Sequence, residues 1–186
     1  LFRYYMQYKN HLLLVCHLQQ NARNHIINYS DIIHNTNKLL RMSENIDSIK
    51  AVQFGQLCPE KLGEIDNDLY IPINSIIKDY TKYSMYNNFL IRSLEQYKID
   101  NIILTGIQTE WCIMQTASDL INHNYTVHIP IDAIGSQSKT DNDIAIDKLK
   151  QNGVIIGNTN GIMRELLDSV NSPESKWYFN NYIKMR

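Results

Sequence analysis

Residues 101–123 read NIILTGIQTEWCIMQTASDLINH. Ile102-Ile103-Leu104, closed by Thr105 and Gly106, is an apolar run of the kind that forms a strand buried on both faces. Trp111 and Cys112 follow a short polar stretch. Ile113, Ala117, Leu120 and Ile121 then recur at helical spacing and share one face. Cys112 therefore stands where a parallel strand turns into a helix, the edge at which open α/β sheets bind ligands. The positive end of a helix and its unpaired N–H groups favour a thiolate there. The same placement suits a buried thiol acting as a small hydrophobe, so the neighbouring groups must decide.

Outward from this stretch the strand-then-helix pattern repeats. His11-Leu12-Leu13-Leu14-Val15-Cys16 is a second buried-strand run that ends in His17-Leu18-Gln19. A helix is expected from Gln20 to Met42, with Ile26, Ile32, Ile33, Leu39 and Leu40 facing the core. Residues 49–54 read as a third strand. Residues 55–74, punctuated by Pro59, Gly63 and Pro72, read as an irregular loop, a length that is usually functional or disordered. Ile76 and Ile77 begin a short strand. Asn88 is the expected cap of a helix facing inward through Leu90, Ile91, Leu94 and Tyr97. Residues 126–131 read as a strand and 132–135 as a loop. Thr140 or Asp141 is expected to cap a helix to Gln151 that Gly153 stops. Residues 154–157 form the last strand and 162–170 the last full helix. This alternation predicts one α/β domain over 11–171, with a mostly parallel six-stranded sheet and helices on both faces. An aromatic and basic arm (1–10) precedes it, and an aromatic tail (172–186) with Trp177, Tyr178 and Phe179 follows.

At 186 residues the chain is long enough for one real core. A net charge of −1 without blocks of like charge argues for neither nucleic acid nor an anionic membrane surface. No apolar run is long enough to cross a bilayer. Three cysteines, an odd number without paired spacing, fit reduced thiols and an intracellular, cytoplasmic location. No phosphate-binding glycine loop is present, and the six histidines lack metal-ligand spacing. Neither a cofactor nor a metal is expected.

Four segments together carry a resemblance. Gly106-Ile107-Gln108-Thr109-Glu110-Trp111-Cys112-Ile113-Met114-Gln115-Thr116-Ala117 resembles the nucleophile motif of isochorismatase-like cysteine hydrolases, in the branch of isochorismatase domain-containing proteins. Leu13 to Gln19 is similar to that family's first strand and its D-x-Q motif, Pro59-Glu60-Lys61-Leu62-Gly63 to its P-K-G-L-G loop, and Asp79-Tyr80-Thr81-Lys82-Tyr83-Ser84-Met85 to D-K-T-K-F-S-M. The resemblance implies a Rossmann-like three-layer sandwich and an Asp-Lys-Cys triad. It also implies a cis peptide at Ile107-Gln108 and an oxyanion hole made by the N–H groups of Gln108 and Cys112. Carried over residue by residue, the thiol is Cys112, but the acid position holds His17 and the amine position holds Tyr80. Lys82 lies two residues further on, displaced by about 7 Å along a strand.

The replacements matter because a helix terminus alone contributes about 0.3–1 kcal/mol, up to roughly 2 when partly buried, which lowers a thiol pKa by roughly one unit. Tyr80 is neutral at pH 7 and offers one hydrogen bond. His17 can act as a base beside the thiol. Three readings follow. In the first, the protein is a catalytically degenerate or altered member that keeps a cysteine pocket for a small carbonyl or amide ligand. In the second, it is an active amidase-like hydrolase working through a His17–Cys112 dyad, with Tyr80 assisting. In the third, it is an oligomeric interaction subunit, since family resemblance implies a homo-oligomer and Phe2-Arg3-Tyr4-Tyr5 and Trp177-Tyr178-Phe179 suit subunit contacts. Leu57, Tyr83, Trp111 and Tyr86 are expected to line the pocket, with Cys58 in the loop opposite. Gln19 is expected to fix the first turn.

Overall fold

The computed structural model describes Met6 and residues 9–182. Its strands are β1 (His11–Cys16), β2 (Ile49–Leu57), β3 (Ile76–Tyr80), β4 (Asn101–Ile107), β5 (Thr126–Pro130), β6 (Ile134–Gly135) and β7 (Ile155–Gly157). Its helices are α1 (Tyr29–Ser43), the one-turn α2 (Pro59–Leu62), α3 (Asn88–Gln96), α4 (Met114–Asn122), α5 (Lys139–Gln151), α6 (Thr159–Glu165) and α7 (Pro173–Tyr182). The six expected strands run in the order β3-β2-β1-β4-β5-β7, with every pairing parallel. A seventh strand, β6, comes from the stretch read as a loop and pairs with the far end of β4.

Period-two alternation builds the three layers. Leu13 and Val15 of β1 pack with Ile32, Ile33, Leu39 and Leu40 of α1, with Ile162 and Met163 of α6 and with Tyr178 of α7. Leu12, Leu14 and Cys16 point the other way, toward Leu90 and Leu94 of α3, Ala117 and Leu120 of α4 and Leu149 of α5. Each fully buried Leu here is worth about 1.5–3 kcal/mol relative to exposure. The predicted Rossmann-like α/β sandwich is the fold observed.

The structure moves several boundaries. The first helix starts at Tyr29, because Asn28 adopts a left-handed φ of 56° and Arg23 turns aside to Asp66 and Asp68. The α3 cap is Asn87, not Asn88: its Oδ1 accepts the N–H groups of Phe89 and Leu90, both at 3.0 Å. The α5 cap is Ser138, not Thr140 or Asp141. Helix α6 opens earlier, behind the Asn158 cap, and ends at Glu165 with Leu166 as its C-cap; Leu166 still packs in the core, and Val170 is exposed. The aromatic tail is itself a helix. Tyr178 is buried in the core with Met6, whereas Phe179 faces outward. Phe2, Arg3, Tyr4 and Tyr5 lie outside the described residues. No helix among the described residues is long and apolar enough to cross a membrane.

The stretch 55–74 is neither wholly irregular nor loose. Strand β2 continues to Leu57, and the chain beyond it is tied back to the end of β1. Gln19 donates to the carbonyls of Leu57 (3.2 Å) and Gly63 (2.5 Å) and accepts from the Leu57 N–H (2.7 Å). The Arg23 guanidinium grips buried Asp66 at 2.5 Å and Asp68 at 2.6 Å.

Candidate active site

Strands β1 and β4 lie side by side, with Cys16 opposite Gly106. Gly106 has φ +116°, and a Cβ there would stand 2.0 Å from the Cys16 carbonyl oxygen. Only glycine permits this approach. The Ile107–Gln108 peptide that follows is cis. Residues 109–113 then make a π-helical turn, in which the Ile113 N–H donates to the Gln108 carbonyl at 3.1 Å. Turns of this kind recur at functional sites. Cys112 sits inside this wide turn, just before α4, with only 4% of its surface exposed.

His17 leaves β1 with φ 52°, and its N–H donates to the Gly55 carbonyl at 3.0 Å. A left-handed conformation costs a non-glycine residue roughly 1–2 kcal/mol, and observed strain of this sort clusters at functional sites. The turn places Nδ1 of His17 at 3.3 Å from Cys16 Sγ. The Cys16 and Cys112 sulfurs and one ring nitrogen of His17 form a buried triangle, all lying within 4.8 Å of one another.

Cys16 was not among the expected site residues. It closes an apolar run and reads as core, which it also is. A signal was nonetheless present: on β1, Cys16 shares the face of Leu12 and Leu14, the same face that packs against the helix after Cys112.

The triangle polarises its sulfurs in opposite directions. A hydrogen bond from Cys16 draws the Cys112 thiol down to about 5. His17 and the Gln108 backbone N–H add to this, and burial opposes it. Cys16 is pushed well above its ordinary value by burial and by the adjacent Cys112. The two thiols titrate as a pair, and the hydrogen bonds from Cys16 and His17 favour the ionised form on Cys112. The Nε2 atom of His17 has no hydrogen-bond partner among the described residues.

Tyr80 lies edge-on to His17, with ring centroids 6.2 Å apart, so the three sequence-derived positions do converge. The Tyr80 hydroxyl, however, accepts a 2.7 Å hydrogen bond from Gln53, a buried β2 residue that sequence reasoning did not single out. Burial raises the phenol pKa far above neutral, so the group brings no charge. Lys82 is exposed.

The expected lining residues divide. Trp111 (52% exposed) and Tyr83 (48%) face each other at 5.5 Å as an open aromatic rim. Leu57 packs against the core on the α4 side of the sheet. Tyr86 instead stacks on His123 at 4.3 Å. Gln19 is a structural clamp through the bonds given above. Cys58 lies 3.9 Å from the Tyr80 carbonyl, outside the triangle.

Comparison with known proteins gives the family. The Isochorismatase domain matches residues 11–160. Isochorismatase domain-containing protein 2 of Danio rerio is 31% identical over 173 residues, covering 90% of this chain and 84% of its own length. Isochorismatase family protein 1A of Dictyostelium discoideum is 30% identical over 161 residues, covering 83% of this chain and 77% of its own. The structure of the MAR1 ribonuclease from Caenorhabditis elegans superposes with a TM-score of 0.88 at 29% identity, over 94% of this chain and 90% of that one. With its strand order, its cysteine turn and a domain match spanning most of its length, the chain belongs to the isochorismatase family and has the fold of the isochorismatase-like hydrolases.

Proposed function

We propose that this chain is an isochorismatase-like protein of altered mechanism, in which Cys112 is the nucleophile toward a small carbonyl or amide ligand and His17 handles the proton. The observation that carries this reading is the Cys112 sulfur, favoured as a thiolate and clustered with His17 and Cys16. The thiolate attacks the carbonyl carbon, and the N–H groups of Gln108 and Cys112 receive the developing oxyanion. The C–N bond breaks as His17 hands a proton to the leaving amine, giving a thioester at Cys112. Water then attacks the thioester, His17 takes up its proton, and the acid departs. The exposed Trp111–Tyr83 rim suits a flat or apolar substituent on the ligand.

Alkylation by iodoacetamide tests the first step. Cys112 should react quickly at pH 7 with an apparent midpoint below neutrality, and Cys112→Ser should remove that phase. Slow reaction with a midpoint above 8 would overturn the nucleophile assignment.

A second reading, binding or acylation without turnover, is favoured by Tyr80. Its buried, Gln53-bonded phenol stands where the resemblance implies an ammonium. Groups that act as a unit lose most of the rate when one is removed. Mass spectrometry of the protein mixed with a panel of small amides and activated esters separates the readings: an accumulating Cys112 adduct without product favours the second. In that case His17→Asp with Tyr80→Lys should restore product release. The ribonuclease named for the C. elegans protein is not carried over, because a net charge of −1 without basic blocks offers no track for a phosphate backbone.

A further inference from the structure

We propose that the Cys16–His17–Cys112 triangle is a binding site for a thiophilic d10 cation, Zn(II) in the first instance. Two sulfurs and one imidazole nitrogen lie within 4.8 Å of one another, and all three residues are buried. A tetrahedral zinc with Zn–S near 2.3 Å and Zn–N near 2.0–2.1 Å sets its ligand atoms about 3.5–3.8 Å apart. Nδ1 of His17 is already 3.3 Å from Cys16 Sγ, so small rotations suffice. Thiolate and imidazole ligands select Zn(II) or Cu(I) and reject Mg(II) and Ca(II).

The backbone pre-forms the site. Cys16 and His17 are consecutive at the end of β1, and the left-handed φ of His17 turns its ring back toward the preceding sulfur. Gly106 presses β4 against β1 at the level of Cys16, and the π turn carries Cys112 over that junction. Charge also balances. Two thiolates neutralise one divalent cation, so a loaded site buries no net charge. Releasing the Cys16 proton to solvent on binding completes the ligand set.

Three protein ligands leave a fourth position open, the pattern of zinc sites that hold a water or a substrate oxygen. The cation and an electrophilic ligand would compete for the same Cys112 sulfur. The inference does not depend on hydrolysis: it needs the triangle, not turnover.

The test uses the full chain, reduced and freed of metal. Titration with Zn(II) against a chromophoric chelator should give one site per chain. Substitution with Co(II) should give thiolate-to-cobalt charge transfer and the visible bands of a tetrahedral centre. Cys16→Ser and Cys112→Ser should each weaken Zn(II) binding by at least about 100-fold, while Cys58→Ser should not. Should Cys16→Ser fail to fold, the unaltered chain decides, because Zn(II) must protect Cys112 from alkylation and leave Cys58 open, and the cobalt charge-transfer intensity must be that of two thiolates. Absence of the cobalt bands, charge-transfer intensity of a single thiolate, or failure of Zn(II) to protect Cys112 would each overturn the metal site. None of those results touches the alkylation midpoint of metal-free Cys112, so a failed nucleophile and a failed metal site remain distinguishable.

Discussion

Strand β1 has a histidine at each end of its run, and the two lead opposite lives. His11 opens the strand and faces His128 of β5, with ring centroids 6.4 Å apart. Both are buried, and His128 is bonded to Asn101 at 3.2 Å. Burial lowers each to about 4, so this end of the sheet holds neutral imidazoles that fill space. His17, one residue past the other end, is equally buried but faces two sulfurs. Residue type and burial are the same. What differs is the neighbour: His11 faces another imidazole, with Asp100 acting on it only weakly against burial, whereas His17 faces two sulfurs. A buried histidine is thus informative through its partners, not through its burial.

The comparison can be broken hardest at Gly106, which brings the sulfur-bearing end together. Gly106→Ala drives a Cβ into the Cys16 carbonyl at 2.0 Å, backbone against backbone. The expected loss exceeds about 4 kcal/mol, or the chain does not fold. Urea denaturation checks this, and a near-neutral result would mean that the strands do not approach as described.

Acid probes the opposite end next. His11 and His128 are neutral when folded, with pKa values below those of the unfolded chain. Their contribution is complete above about pH 6.5 and is lost as pH falls from there toward 4, because the unfolded state binds the extra protons. The upper bound is about 3 kcal/mol per histidine for a shift of this size. Comparing stability at pH 7 and pH 4 with that of the His11→Leu, His128→Leu variant isolates this part, and the variant should lose clearly less.

The smallest effect sharpens the comparison at Tyr80. Tyr80→Phe removes its bond to Gln53, a change of about 1 kcal/mol, and should hardly move the alkylation midpoint of Cys112. A large shift in that midpoint would give the phenol an electrostatic part that its bond to Gln53 does not suggest.

Much of this was legible in the chain. Leu12 to Val15 and Ile102 to Leu104 announce buried parallel strands because both faces are apolar. Gly106 to Ala117, read with the three other segments, announces the family. The two-residue strand Ile134–Gly135 was not legible, since no period can show in so short a run. Helix α7 was missed because its aromatics sit on several sides, Tyr178 inward and Phe179 outward. Cys16 escaped for a different reason. Its partner sulfur is 96 positions away (112 − 16), and only the parallel register of β1 with β4 brings the two together. Linear ligand spacing cannot register such a pair.

The wide turn at 109–113 has one more consequence. It accommodates a residue more per turn than the regular helix that follows, so a single-codon deletion within it could be absorbed by tightening into ordinary α geometry. Such a shortening would swing position 112 by about 100° around the axis, carrying the sulfur off the triangle while leaving the rest of the sheet in place. The width of the turn thus sets whether the cysteine faces the site.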